Sequence, residues 1–179
     1  MKKIVAFVGS ERKSGYCSKT VDAIRKGAES EGAEVKVYYP GEMNIRSCQG
    51  CMYCRQGKGC AIQDDDMSGI YADLNEADAV VFAMPIYFGQ MSGQMMTLIN
   101  RLYPLAPPSG MKIAVTVYSH GAPVDTMYKP YIDMTNPLFK SLGMDVEKTI
   151  VCAGTGNMPA DKEKALLDDA FETGKNLAE

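Results

Sequence analysis

The chain has 179 residues, with 19 basic and 22 acidic side chains and one histidine, giving a formal charge of −3. One domain over residues 1–179 is the expectation at that length, with about 70% of the unfolded surface buried and no need of staples. The acidic balance excludes a general nucleic-acid binder, which carries a basic surface, and six cysteines are too few for a disulfide scaffold, where about 8–10% is expected.

The first apolar run, residues 4–8, stops at Gly9-Ser10-Glu11-Arg12, too short for a secretory signal. The longest, residues 79–88, contains Pro85 and falls short of the ~20 residues a bilayer crossing needs. The expectation is a cytoplasmic, reducing location with no membrane partner. Clustered cysteines there point to metal or redox chemistry rather than to disulfides.

In chain order, strand and helix alternate. Residues 2–8 read as a strand buried on both faces. Cys17, Val21, Ile24 and Ala28 repeat at helical spacing up to residue 31, where Gly32 stops them. Residues 35–39 are a second strand, and residues 40–66 are an irregular, cysteine-rich insertion. Asp66 is placed to cap a helix over 67–77, and Asp64-Asp65-Asp66 reads as its solvated start. A third strand is expected over 78–84, a helix over 91–103, and a loop over 104–110. A fourth strand over 111–118, a helix over 125–142, a fifth strand over 146–152 and a helix over 162–178 complete the chain. This pattern predicts an α/β protein with a doubly wound, five-stranded parallel sheet in the flavodoxin-like order 2-1-3-4-5. Its ligand site belongs beyond the C-terminal ends of strands 1 and 3, where the winding reverses.

The loop after strand 1 reads Gly9-Ser10-Glu11-Arg12-Lys13-Ser14-Gly15-Tyr16-Cys17-Ser18. A helix start offers free N–H groups to an anion; Ser10, Ser14 and Ser18 add hydroxyls, and Arg12 a fixed charge. The loop is neither G-x-G-x-x-G nor a Walker loop. It suits a phosphomonoester such as that of FMN, against the plainer reading of a polar turn capping a helix. After strand 3, Pro85, Ile86, Tyr87, Phe88 and Gly89 can wall a flat ring and turn backbone donors to its polar edge; a proline-stiffened turn with core aromatics is the plain alternative. Ser119, His120 and Gly121 after strand 4, and residues 152–157 after strand 5, lie at the same sheet edge. His120 titrates near neutral pH and is the candidate catalytic proton donor to a reduced acceptor.

Cys48, Cys51, Cys54 and Cys60 are spaced C-x2-C-x2-C-x5-C. Compact runs of this kind hold iron–sulfur cubanes, whereas zinc takes C-x2-C pairs with a longer spacer. A [4Fe–4S] cluster is the first expectation; zinc or free thiols remain open. Arg46, Arg55 and Lys58, with no acid between residues 46 and 60, would offset an anionic cluster.

These motifs, with Asp65-Asp66-Met67 and Asn100-Arg101, resemble the iron–sulfur flavoproteins within the NAD(P)H-dependent FMN reductase group, flavodoxin-like proteins. The likeness runs from Lys2 to about Leu102. It implies FMN, with its phosphate held by Ser10, Arg12, Ser14, Gly15, Tyr16, Cys17 and Ser18 and its ring beside Pro85 to Gly89 and Ser119 to Gly121. It implies a cubane on the four cysteines and a homodimer or homotetramer. The implied activity is FMN-dependent oxidoreduction, from NAD(P)H or reduced ferredoxin to a quinone, oxygen or another small acceptor. A cluster-free NAD(P)H:quinone or FMN reductase, a non-enzymatic electron carrier and a zinc-stabilised interaction module are the rival readings.

Overall fold

A computed structural model describes residues 1–106 and 110–179. The elements are β1 (Lys3–Val8), α1 (Tyr16–Ser30), β2 (Glu34–Tyr38), α2 (Met67–Glu76), β3 (Ala79–Tyr87), β4 (Gln90–Met91), α3 (Gly93–Arg101), β5 (Lys112–Ser119), α4 (Lys129–Lys140), β6 (Met144–Cys152) and α5 (Ala160–Ala178). The parallel strands lie in the order β2-β1-β3-β5-β6, which is the flavodoxin-like arrangement read from the sequence. The predicted count was five, and β4 adds a sixth strand, a two-residue antiparallel partner of β3.

Alternation of side chains along each strand sorts the core onto two faces. Val5, Phe7, Val80, Phe82 and Met84 face α2, α3 and α4, whose Met67, Ile70, Leu98 and Phe139 pack on them. Ile4, Ala6, Val8, Val81 and Ala83 face α1 and α5, through Val21, Ile24, Ala170 and Leu177. The near-continuous apolar runs of β1 and β3 follow from burial on both faces.

Several boundaries differ from expectation. β3 does not stop at Met84 but continues through Pro85 to Tyr87. Pro85 lies opposite Ser119 of β5, and its carbonyl accepts the Ser92 N–H at 3.1 Å, a bond that needs no donor from the proline. Phe88 and Gly89 then turn the chain with φ of 50° and 84°, the left-handed pair of a tight hairpin. This hairpin delays α3 to Gly93. α4 begins at Lys129 rather than near 125, with Pro130 in its first turn where a missing N–H costs nothing. The loop expected over 104–110 opens with a 3-10 turn at Tyr103–Leu105; residues 107–109 lie outside the described residues. Among the described residues, no helix is long and apolar enough to cross a membrane.

α1 and α5 pack backbone to backbone. A Cβ at Gly27 would lie 1.9 Å from the Phe171 carbonyl oxygen, and one at Gly174 would lie 1.9 Å from that of Ile24. Both positions therefore exclude any side chain. We expect Gly174→Ala to destabilise the fold by about 1–3 kcal/mol, read as a lower urea midpoint; an unchanged midpoint would mean that the two helices slide apart freely.

Candidate cofactor site

The loops after β1, β3, β5 and β6 enclose a cleft of about 620 Å³, within the range of small-molecule sites. Its walls are Ser10, Arg12, Ser14, Gly15 and Tyr16 from the first loop and α1, Pro85, Ile86 and Tyr87 from the end of β3, Ser119, His120 and Gly121 after β5, and Thr155 and Gly156 after β6. It lies at the expected reversal of winding.

One side of the cleft is built for an anion. α1 starts after Gly15, which is extended and gives no side-chain cap, so the first-turn N–H groups have no local acceptor. Gly15 N–H closes the turn on the Arg12 carbonyl at 2.9 Å. The buried Ser10 hydroxyl accepts the Arg12 N–H at 3.2 Å, which leaves its own proton free to donate. Arg12 and Ser14 are exposed at the mouth. Two of the expected phosphate contacts sit elsewhere. Ser18 donates to the Arg12 carbonyl at 3.1 Å and so shapes the loop from behind. Cys17 lies 3.0 Å from the Ser119 hydroxyl, and burial pushes its thiol up to about 12. Neither lines the cleft.

The opposite side is apolar. Ile86 is nearly buried and Tyr87 half exposed. Phe88 turns fully outward on the hairpin tip, away from the wall expected of it, and Gly89 borders a different groove. The turn's left-handed geometry, hidden in the sequence by a phenylalanine, sends that ring outward.

His120 closes the back of the cleft. The residue is buried, its ring stands edge-on to Tyr128 with centroids 4.9 Å apart, and Nδ1 lies 3.1 Å from the Ala122 carbonyl. That carbonyl can only accept, so Nδ1 carries the proton and Nε2 the lone pair. Nε2 is buried and has no partner among the described residues. Burial lowers the imidazole below its ordinary value, more than the Ala122 bond raises it, so the ring rests neutral. The expected proton donor is thus an acceptor at rest. Thr155 and Gly156 line the cleft from the loop after β6, within the stretch 152–157 expected at this edge.

The four cysteines ring a second, small cavity of about 30 Å³, shared with Asn100, Arg101 and Tyr103. Four thiols lining one apolar cavity, with Arg101 as the charged residue in its wall, fit the donor set of an iron–sulfur cluster. Their sulfurs do not converge: among the described residues no three His, Cys, Asp or Glu side chains form a group that could hold a metal ion. Cys48 and Cys51 are exposed, Cys54 and Cys60 partly so. Left-handed backbone at Gly50, Gly57 and Gly59, which glycine readily allows, and at Met52 wraps this segment.

The segment is clasped by a pair the sequence hid. Asp65, expected in a solvated helix start, is buried and ion-paired at 2.5 Å with Arg101, both side chains wholly withdrawn from solvent. Arg101 also donates to the carbonyls of Arg46 at 2.7 Å and Ile62 at 3.3 Å. Asp65 accepts the N–H groups of Arg46 and Met67 at 3.1 and 3.2 Å. The second bond replaces the expected Asp66 cap; Asp66 instead accepts the Asn44 N–H at 2.7 Å. Burial pushes the Asp65 carboxyl up, but Arg101 and the two N–H groups outweigh it and hold it below the usual carboxylate range.

With the geometry in hand, comparison with known proteins identifies the class. Residues 2–130 match the family described as NADPH-dependent FMN reductase. An iron–sulfur flavoprotein of Archaeoglobus fulgidus is 39% identical over 99% of this chain and 79% of its own length. Another, from Methanocaldococcus jannaschii, is 30% identical over 98% of this chain and 93% of its own. Among solved structures, the NAD(P)H:quinone oxidoreductase of Methanothermobacter marburgensis superposes with a TM-score of 0.75 at 16% identity, covering 100% of this chain and 98% of that one. The FMN-dependent NADH-azoreductase of Bacillus anthracis gives 0.74 at 12% identity and full coverage of both chains; at such identities the likeness is one of fold. The chain belongs to the NADPH-dependent FMN reductase family and, within it, to the iron–sulfur flavoproteins. It is an FMN-dependent oxidoreductase.

Removing Asp65 strands the buried guanidinium. We expect Asp65→Ala to cost about 3–5 kcal/mol in urea unfolding. Because the folded-state carboxyl is depressed, its contribution is complete above about pH 4 and is lost as pH falls through the folded value. Asp65→Asn should therefore flatten the acid limb of the stability curve; an acid limb identical to wild type would contradict the clasp.

Proposed function

We propose that the cleft binds FMN, that the cysteine loop holds a [4Fe–4S] cluster on Cys48, Cys51, Cys54 and Cys60, and that the protein passes electrons from NAD(P)H to a small acceptor such as a quinone or oxygen. Reduced ferredoxin is the alternative donor. The single observation that carries the reading is the two-sided cleft at the β1/β3 reversal, hydroxyls, Arg12 and an uncapped helix start facing an apolar strand end. The four thiols around one cavity extend it to the cluster.

When bound, FMN supplies hydride acceptance and single-electron transfer, and the cluster supplies single-electron steps. The protein supplies the rest. Ser10, Ser14, Arg12 and the first N–H groups of α1 anchor the phosphate. Pro85 to Tyr87 give the ring a dry wall, and Ser119 to Gly121 with Thr155 and Gly156 border its polar edge. His120, neutral at rest, takes a proton at Nε2 before it returns one to a reduced acceptor. A cytoplasmic setting suits the exposed thiols. An apolar groove of about 410 Å³, lined in part by Met96 and Ile99 of α3 and Met134 and Leu138 of α4, supports a homodimer or homotetramer. The open arrangement of the four thiols favours, as second reading, a cluster-free NAD(P)H:quinone or FMN reductase.

Two variants separate the sites. Ser10→Ala with Arg12→Ala should weaken FMN retention on the order of 100-fold, the loss of about 3 kcal/mol of charge-assisted bonding, and leave iron in place. Cys51→Ala should abolish iron binding and leave FMN. Flavin and iron analysis of the purified variants reads both; retention of both cofactors by both variants would overturn the assignments.

A further inference from the structure

The two terminal nitrogens of Arg101 make four hydrogen bonds in the clasp, yet its third donor is idle. Nη1 and Nη2 are engaged by Asp65 and by the Arg46 and Ile62 carbonyls. Nε is buried and has no hydrogen-bond partner among the described residues. A guanidinium N–H left unpaired away from water is costly, and Arg101 is the most voluminous fully buried side chain of the described residues. It lines the same small cavity as the four cysteines.

The neighbouring bonds point the same way. The Ile62 N–H lies 3.4 Å from the Cys60 sulfur, so one backbone donor already serves a cysteine of the set. The carbonyl of that same residue is held by Nη2 of Arg101. The Tyr71 hydroxyl donates to the Arg101 carbonyl at 2.5 Å, and Asp65 grips the fork through both of its carboxylate oxygens. The side chain cannot swing to find another acceptor. Asp65 balances its charge, so what Arg101 offers the cavity is a directed hydrogen bond more than a free positive charge.

We propose that the Arg101 Nε–H donates to a sulfur of the group held in the cysteine cavity, making Arg101 a positioning residue that sets the reduction potential and the retention of that group. This rests on the iron–sulfur reading above. Hydrogen bonds to cluster sulfurs favour the more negative, reduced state and raise the potential. Ile62, steered by Arg101, adds a second donor at Cys60.

Wild-type protein, 15N-labelled and reconstituted anaerobically with ferrous iron and sulfide, tests this directly. The Arg101 Nε–H resonance should shift or broaden on loading. In Arg101→Lys, which keeps a charge opposite Asp65 and lacks Nε–H, EPR-monitored titration should show a lower potential, equivalent to about a tenfold change in the oxidised-to-reduced ratio, with faster loss of iron to a chelator. A loaded wild-type protein whose Nε–H resonance does not move overturns this proposal alone, whether or not the variant folds. A wild-type protein that takes up no iron and sulfide overturns the iron–sulfur reading and this proposal with it.

Discussion

The buried ion pair of Arg101 and Asp65 makes the cysteine segment a part of the fold rather than a loose insertion. Withdrawing two charges from water is repaid only where the geometry is good and the remaining bonding positions are filled. Here the fork of Arg101 meets both carboxylate oxygens and two main-chain carbonyls, and Asp65 takes two further N–H groups. Those bonds join the entry of the segment at Arg46 to its exit at Ile62 and fix both to the end of α3. Between these anchors the chain has one 3-10 turn at Tyr53–Gln56 and no strand, so its course depends on the clasp and on left-handed glycines.

The cleft has a different origin. Parallel strands present their C-terminal ends at one edge, and the reversal between β1 and β3 opens that edge. The same α3 links the two places: its N-terminus follows the β3–β4 hairpin beside the cleft, and its C-terminus carries Arg101. The anion loop also touches the start of the cysteine segment. Lys13 pairs with Glu42 at 2.5 Å, Gln94 of α3 reaches Glu11 at 3.4 Å, and Glu11 packs so closely on Gly41 that a Cβ there would lie 1.9 Å from its carboxylate.

β1 and β3 were legible because both their faces are buried and their apolar runs are nearly unbroken. The loop after β1 was legible as a wall of the cleft because a strand ending before Gly9 and a helix starting after Gly15 fix its place at the sheet edge. The hairpin at Phe88 was not: proline after Met84 reads as a stop, and only the Ser92 bond to its carbonyl shows why the strand continues. Asp65 was misread because three consecutive acids look solvated, and its partner lies 36 positions away. Cys17 and Ser18 leave the cleft because the first turn of α1 rotates them inward. Long-range pairing and side-chain direction are what a one-dimensional reading lacks.

The proposed function would join a two-electron carrier in the cleft to a one-electron carrier on the four cysteines. Anaerobic reductive titration of the purified protein, followed by visible absorbance and EPR, tests that most directly. The account requires about three electrons per chain, two bleaching a flavin and one giving the EPR signal of a reduced cubane. Uptake of about two electrons with no such signal would contradict the cluster, and absence of a bleachable flavin would contradict the account as a whole.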